Sequence, residues 1–241
     1  MLMLRAMQGE FRRAKKNTTL HLCLSILICM QIIFTVIEIE FFTGSVNGVT
    51  DPYLLKLLWF TNTSTLFSIL FSIVLDYHVL SKEYHDHTWE LLLLTMKNKY
   101  KVIFAKFFVV SIVQGISQLL SCILFGTVLH CYYGLQNNIA LSFPFFLMSC
   151  FGNFFVSACV FGIFLMVENG MLAILCSIPL LLLPVFFQEW ISFGKYIPFM
   201  AVGYFLNISM NMDLFTNILL CLYNVICGGI LVWIAGKFFH L

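Results

Sequence analysis

Six stretches of this sequence, approximately 20–42, 53–75, 102–129, 143–167, 171–187 and 214–235, are apolar runs of bilayer-crossing length or close to it. A helix needs about 20 apolar residues to cross a hydrocarbon core, where backbone N–H and C=O groups are satisfied only within helices or closed barrels. Runs this long are helices. The expected fold is an all-α integral membrane protein with six transmembrane helices, a single transmembrane domain over residues 1–241. Composition agrees: 61% of residues are hydrophobic and 10% charged, against about 25% charged in a soluble domain. A surface so short of polar side chains implies that lipid is the solvent. The fifth run is the shortest and contains Pro179 and Pro184, which predicts a kinked helix or one that stops short of the far interface.

The distribution of Lys and Arg sets the expected direction of the spans. Arg5, Arg12, Arg13, Lys15 and Lys16 precede the first, Lys82, Lys97, Lys99, Lys101 and Lys106 fall between the second and third, and Lys237 follows the last. Only Lys56 and Lys195 belong to the other side. This bias predicts cytoplasmic termini in a multi-pass protein of the plasma membrane. The first apolar run is span-length and no small-residue cleavage site follows it, so it reads as a retained span rather than a signal peptide. Before it, in residues 1–18, Leu4, Met7, Phe11 and Ala14 recur at helical spacing with basic residues on the other faces. That pattern predicts a cytoplasmic helix lying among lipid headgroups, with a disordered basic leader as the alternative. On the outer side, residues 188–213 are too polar to span yet carry Trp190, Phe193, Tyr196, Phe199, Tyr204 and Phe205. Aromatic residues favour the headgroup boundary, so this segment is expected to dip into the outer leaflet.

The motifs that would announce an enzyme are missing. There is no H-E-x-x-H, no G-x-S-x-G and no phosphate-cradling G-x-x-x-x-G-K-[ST]. His85, Asp86 and His87 form the one metal-like cluster, but histidines at i and i+2 point to different sides of a helix, and solvated histidines are the simpler reading. The nine cysteines are an odd number, mostly within apolar runs and without a CxxC pair, and read as small buried hydrophobes. A net charge of +2 makes no case for a nucleic-acid partner. Carboxylates near a membrane are functional candidates, which draws attention to Glu38, Glu40, Asp51 and Glu168. Glu38 and Glu40 at the outer end of the first span are candidates for a substrate path. So is Asn62 within the polar run 61–65, although contact between helices explains that run as well.

Residues 81–106 gather a disproportionate share of the chain's charge around Trp89 and a four-leucine run. Read as a helix from about residue 87, Trp89, Leu92, Leu93 and Met96 share one face. A short apolar-faced helix flanked by charge lies on lipid or fills a groove in a soluble partner, where a tryptophan is a strong anchor.

This stretch resembles the cytoplasmic loop of ABC-2 type export permeases, in which an acidic residue precedes Gly-Thr, a leucine-rich turn, a Pro-x-x-Arg and a lysine entering the third span. Glu83, Thr88, Leu92, Met96, Lys99 and Lys106 stand at the corresponding places, with His87 in place of the usual glycine and Met96 in place of the usual proline. The layout of the whole chain is also similar. Glu10 followed by Arg12 and Arg13 resembles the family's elbow helix, and 188–213 stands where re-entrant helices between spans five and six would lie. The small size looks most like the lantibiotic-immunity and bacitracin-resistance permeases of Gram-positive bacteria.

The resemblance implies a permease that is not itself an enzyme and holds no cofactor. ATP and magnesium would sit on a separate cytoplasmic ABC ATPase. A coupling helix within 76–101 would pass the ATPase's motion to the spans through Glu83, Thr88, Trp89, Glu90, Leu92, Leu93, Met96, Lys99 and Lys106. A second permease, identical or related, would complete the pathway in a bacterial cell membrane, and an amphipathic antimicrobial peptide would be the cargo. The alternatives are a stand-alone carrier or channel, and a membrane anchor or sensor subunit of another complex.

Overall fold

The computed structural model describes residues 2–41, 51–85, 89, 98–135, 153–180 and 214–239, and among these there are helices and no strand. Helix α1 covers Leu2–Lys16, α2 Thr18–Phe41 and α3 Pro52–Asp76. A π-helical turn, Tyr77–Ser81, leads into a short α4, Lys82–His85. Then come α5 (Lys99–Cys131), α6 (Phe154–Met166), α7 (Gly170–Ser177) and α8 (Leu214–Phe238).

Four of these helices are long and apolar enough to cross a membrane: α2, α3 with its continuation to His85, α5, and the Cys221–Phe238 part of α8. They coincide with the first, second, third and sixth runs of the sequence. The fourth and fifth expected spans are described only where α6 and α7 lie, and the proposed re-entrant segment 188–213 lies outside the described residues.

Start signals are local and legible. Asp51 caps α3 by accepting a hydrogen bond from the Tyr53 amide at 2.9 Å, with Pro52 at the first position, where a missing N–H costs nothing. Asn98 caps α5 in the same way, and Asn169 caps α7. Asn17 separates α1 from α2: its side chain accepts from the Leu20 amide at 3.2 Å.

Packing places apolar side chains outward and polar ones inward. The outward faces of α2, α5 and α8 carry Leu22, Ile26, Phe34, Ile116, Ile123, Ile226 and Trp233, all exposed. Meanwhile Gln31, Thr35, Thr61, Ser64, Ser68, Ser72, Gln114, Gln118 and Ser121 are buried. In water this inversion would cost apolar exposure on one side and desolvation on the other. With lipid outside, hydrocarbon solvates the exposed face and helix-to-helix hydrogen bonds serve the interior. The arrangement is compatible with a membrane protein.

Helices α3 and α5 run antiparallel, tied at one end by stacked Phe60 and Phe125, whose ring centroids are 4.5 Å apart. Helix α8 runs parallel to α6. Gly228 lies against Phe154 and Ala158, and Gly162 against Leu231 and Ala235, small residues that let the backbones close up.

Helix α7 meets the π turn at Gly170, where an added Cβ would stand 2.6 Å from Ser81 Oγ and 2.9 Å from both Ser81 Cβ and Tyr77 Cε2. Gly170→Ala is therefore expected to destabilise the chain by about 1–3 kcal/mol through overpacking, read as a lowered midpoint of thermal unfolding in detergent. Gly229→Ala, whose Cβ meets nothing within 4 Å, is the control and is expected to leave the midpoint unchanged or slightly raised.

Candidate functional site

At the end of the bundle that holds α1, the π turn and the last turn of α8, four charged side chains converge. Lys106, on the first turns of α5, is 1% exposed. Its Nζ donates to Glu83 Oε1 at 2.7 Å and to Glu10 Oε1 at 3.0 Å. Arg13 Nη1 donates to the same Glu83 oxygen at 3.2 Å and lies 3.7 Å from Glu10 Oε1. Two cations and two carboxylates thus balance, and only Arg13 reaches well into solvent, at 64% side-chain exposure.

Each helix contributes for a local reason. Glu10 and Arg13 are one turn apart on α1, on the side turned to α5, while the half-buried Ala14 packs against the core. The π turn adds a residue to one helical turn and so rotates α4 relative to α3, and Glu83 then faces Lys106. A lone buried ammonium would carry a desolvation cost of several kcal/mol, which this pairing offsets.

An aromatic lid closes over the ammonium. Trp89, 1% exposed, places its ring 5.4 Å from Lys106 Nζ, within cation–π range. Its ring centroid lies 5.0 Å from that of Phe239 and 5.8 Å from that of Tyr84. Tyr84 in turn donates to the Leu165 carbonyl at 2.6 Å, and Lys99 Nζ donates to the Phe239 carbonyl at 3.2 Å. The lid therefore ties α4, the start of α5, the end of α6 and the end of α8 into one junction.

Of the residues singled out from sequence, Glu10, Arg13, Glu83, Trp89, Lys99 and Lys106 meet here. Arg12 is on the exposed side of α1. Thr88, Glu90, Leu92, Leu93 and Met96 lie outside the described residues. Trp89, read from sequence as an anchor for a partner, has its indole in the chain's own core.

Glu38 and Glu40 are at the opposite end of the bundle. Glu38 accepts from Thr63 Oγ1 at 2.7 Å, joining α2 to α3, and Glu40 accepts from Tyr133 OH at 3.0 Å. Lys56 Nζ sits 4.2 Å from the Tyr133 ring centroid. Burial, then the bond to Glu40, push the Tyr133 hydroxyl above its ordinary value, so it remains a donor throughout the physiological range. Asn62 is on α3.

Sequence reasoning read the polar run 61–65 as a helix contact but missed its continuation as a seam between these ends. Thr61, Thr65, Ser68, Ser72 and Asp76 recur along one face of α3 and are all buried. Gln114 of α5 locks onto them: its Nε2 donates to Ser68 O and Ser68 Oγ, both at 3.1 Å, and its Oε1 accepts from Ser72 Oγ at 3.1 Å. One turn further on, Asp76 is 0% exposed, and neither carboxyl oxygen has a hydrogen-bond partner among the described residues. The signal was the i, i+4, i+7, i+11, i+15 recurrence of small polar residues ending on an acid, hidden because the apolar run was read as stopping at residue 75.

Among the described residues no three His, Cys, Asp or Glu side chains group as a metal site. The chain matches no protein-family model and none of the curated proteins compared with it.

Removing the shared cation alone should be more damaging than removing it together with both carboxylates. Lys106→Ala leaves two carboxylates facing each other in a buried place and is expected to cost about 3–5 kcal/mol. The triple change Lys106→Met, Glu83→Gln, Glu10→Gln should recover at least half of that. Both are read as thermal midpoints of the detergent-solubilised chain.

Proposed function

We propose that this chain is the membrane-spanning permease subunit of an ATP-driven ABC exporter, crossing a bacterial cell membrane six times with both termini in the cytoplasm. The observation that carries the reading is the ionic junction. The residues likened to an elbow helix, Glu10 and Arg13, and those likened to a coupling segment, Glu83, Trp89 and Lys106, come together although they are far apart in sequence.

In this reading the 82–98 segment receives the motion of a separate cytoplasmic ATPase, which holds ATP and magnesium. Trp89 serves as the internal end of the linkage rather than as the surface that the ATPase grips. Glu90, Leu92, Leu93 and Met96 supply that surface. The junction passes displacement to α1, α5 and α8 together, and a second permease, identical or related, forms the other wall of the path. The cargo is an amphipathic peptide drawn from the membrane, as in self-immunity or resistance to an antimicrobial peptide, and Glu38 and Glu40 give the outer end of α2 the charge to attract a cationic one.

Asp76 favours a second reading, a stand-alone carrier. A buried carboxyl without a partner on a polar seam is the kind of group that binds a coupling ion or substrate in such proteins.

Purification of the chain from its native membrane in mild detergent, followed by mass spectrometry, tests the exporter reading. A stoichiometric ABC ATPase is expected, and recovery of the chain alone across several detergents would overturn it. Met96→Glu should then abolish ATPase recovery with the thermal midpoint unchanged. Trp89→Ala should instead lower the midpoint by an amount equivalent to about 3–5 kcal/mol. If transport persists without any ATPase and is lost in Asp76→Asn, the carrier reading holds.

A further inference from the structure

Asp76 and Gln31 are polar side chains that the packing of the bundle encloses and leaves unbonded. Each is 0% exposed. Neither carboxyl oxygen of Asp76 and neither amide atom of Gln31 has a hydrogen-bond partner among the described residues. The contacts of Glu38 with Thr63 and of Phe34 with Phe67 set α2 antiparallel to α3. Gln31, about two turns before Glu38, therefore stands at the depth of Ser68 and Ser72, where Gln114 bridges α3 to α5. A polar line thus runs from the half-buried Glu38, at the end of the bundle opposite the ionic junction, past Gln31 and the Gln114 bridge to Asp76. Each group on it costs desolvation unless it is bonded or used.

The surroundings of Asp76 limit what it can bind. A metal cation would need several oxygen ligands around the carboxylate. The next oxygens along the seam, Ser68 Oγ and Ser72 Oγ, are both held by Gln114 at 3.1 Å. The titratable groups nearest this depth on the elements packed against α3 are His21 and Cys23 of α2, Lys106 of α5, Cys159 of α6, and Tyr77 and His78 of the π turn. None donates to Asp76. Lys106 Nζ is turned to Glu10 and Glu83, His21 Nε2 lies 3.1 Å from the Lys15 carbonyl, and His78 Nδ1 lies 2.9 Å from the Val74 carbonyl. A proton needs a single oxygen and no further ligand, and it leaves a neutral carboxyl, the form that burial without donors tolerates.

We infer that Asp76 is a proton-binding site, loaded and unloaded from the Glu38 end of the bundle along the line of Gln31 and the Gln114 bridge. The O–H bond of the carboxyl is the one bond made and broken. The proton comes from water and returns to it, and Gln31 and the seam hydroxyls hold the waters that carry it from one turn to the next. The inference deepens the carrier reading and rests on it for the use to which the proton is put: H⁺ is the coupling ion.

Infrared spectroscopy of the full chain in detergent at neutral pH tests it. A protonated-carboxyl C=O stretch is expected that shifts on transfer into deuterium oxide and is missing from Asp76→Asn, a neutral isostere that should keep the thermal midpoint of the unsubstituted chain. Gln31→Leu should keep the band and slow its shift about tenfold or more, the effect of removing about one hydrogen bond from the path. A spectrum that Asp76→Asn leaves unchanged, or an exchange rate that Gln31→Leu leaves unchanged, would overturn the inference. Recovery of the chain from its native membrane separates this outcome from that of the carrier reading. The expected infrared behaviour in a chain that comes down with a stoichiometric ATPase would remove the carrier reading and leave the proton site standing. A chain that comes down alone, transports, and shows no Asp76 band would keep the carrier reading and overturn the proton.

Discussion

The Lys106 ammonium is the group around which the described structure is organised. An ion that is 1% exposed is tolerable only if its charge is matched nearby and its N–H groups are spoken for. The two carboxylates that do this, Glu10 and Glu83, come from separate helices, so satisfying one charge fixes the positions of α1 and α4 on α5. Arg13 then corrects the excess of negative charge that two acids around one lysine would leave, and Trp89 seals the remaining side with a ring face. Hydrophobic burial alone would allow α1 to slide along the bundle. Directional donors at 2.7 and 3.0 Å do not.

The same logic governs the rest of the interior. Where lipid surrounds the molecule, apolar burial supplies little drive for helices to associate, and specific packing and hydrogen bonds take its place. Gln114 is the clearest instance, a single amide that serves the Ser68 and Ser72 hydroxyls as well as a backbone carbonyl. The glycines at 162 and 228 do the packing part of this work between α6 and α8. Asp76, like Gln31, has burial without bonding among the described residues, and a carboxyl is the costlier of the two to leave so. A structural carboxyl would be expected to have recruited a donor, and that difference is what marks it as a functional candidate.

Much of the helical layout was legible because the quantity that dictates it, the length of an apolar run, is local. The runs near 20–42, 53–75, 102–129 and 214–235 all became long helices, while the exact starts set by the caps Asp51, Asn98 and Asn169 were not read from the runs. Glu83 and Lys106 lay in a charged stretch and, like Glu10 and Arg13, were picked out by a resemblance to export-permease motifs, not by periodicity. That the four would meet was not legible, because it depends on the π turn at Tyr77–Ser81 and on how α1 folds back against α5. Neither leaves a periodic trace. Trp89 shows the limit most plainly: an indole on a short apolar-faced segment has the same sequence signature whether it anchors a partner or closes over an internal cation, and only its surroundings distinguish the two.

The junction also constrains how motion can pass through the chain if the exporter reading holds. A segment attached to the bundle by one apolar contact could be pushed by a partner and simply detach. The 82–98 segment is attached through Glu83 to α1 and α5, through Tyr84 to the end of α6, and through Trp89 to Phe239 just past the end of α8. Detaching it would strand Lys106 against Glu10 with a charge unmatched, at a cost of about 3–5 kcal/mol. Rotating it together with its neighbours breaks none of these bonds. A push on this segment is therefore cheaper to transmit than to absorb, and the helices that would move first are α1, which lies at the surface, and α5, whose other turns carry the Gln114 bridge to α3. Displacement of α5 along its axis would carry Gln114 past Ser68 and Ser72, so the polar seam that ends at Asp76 is the part of the interior that such a movement would rearrange.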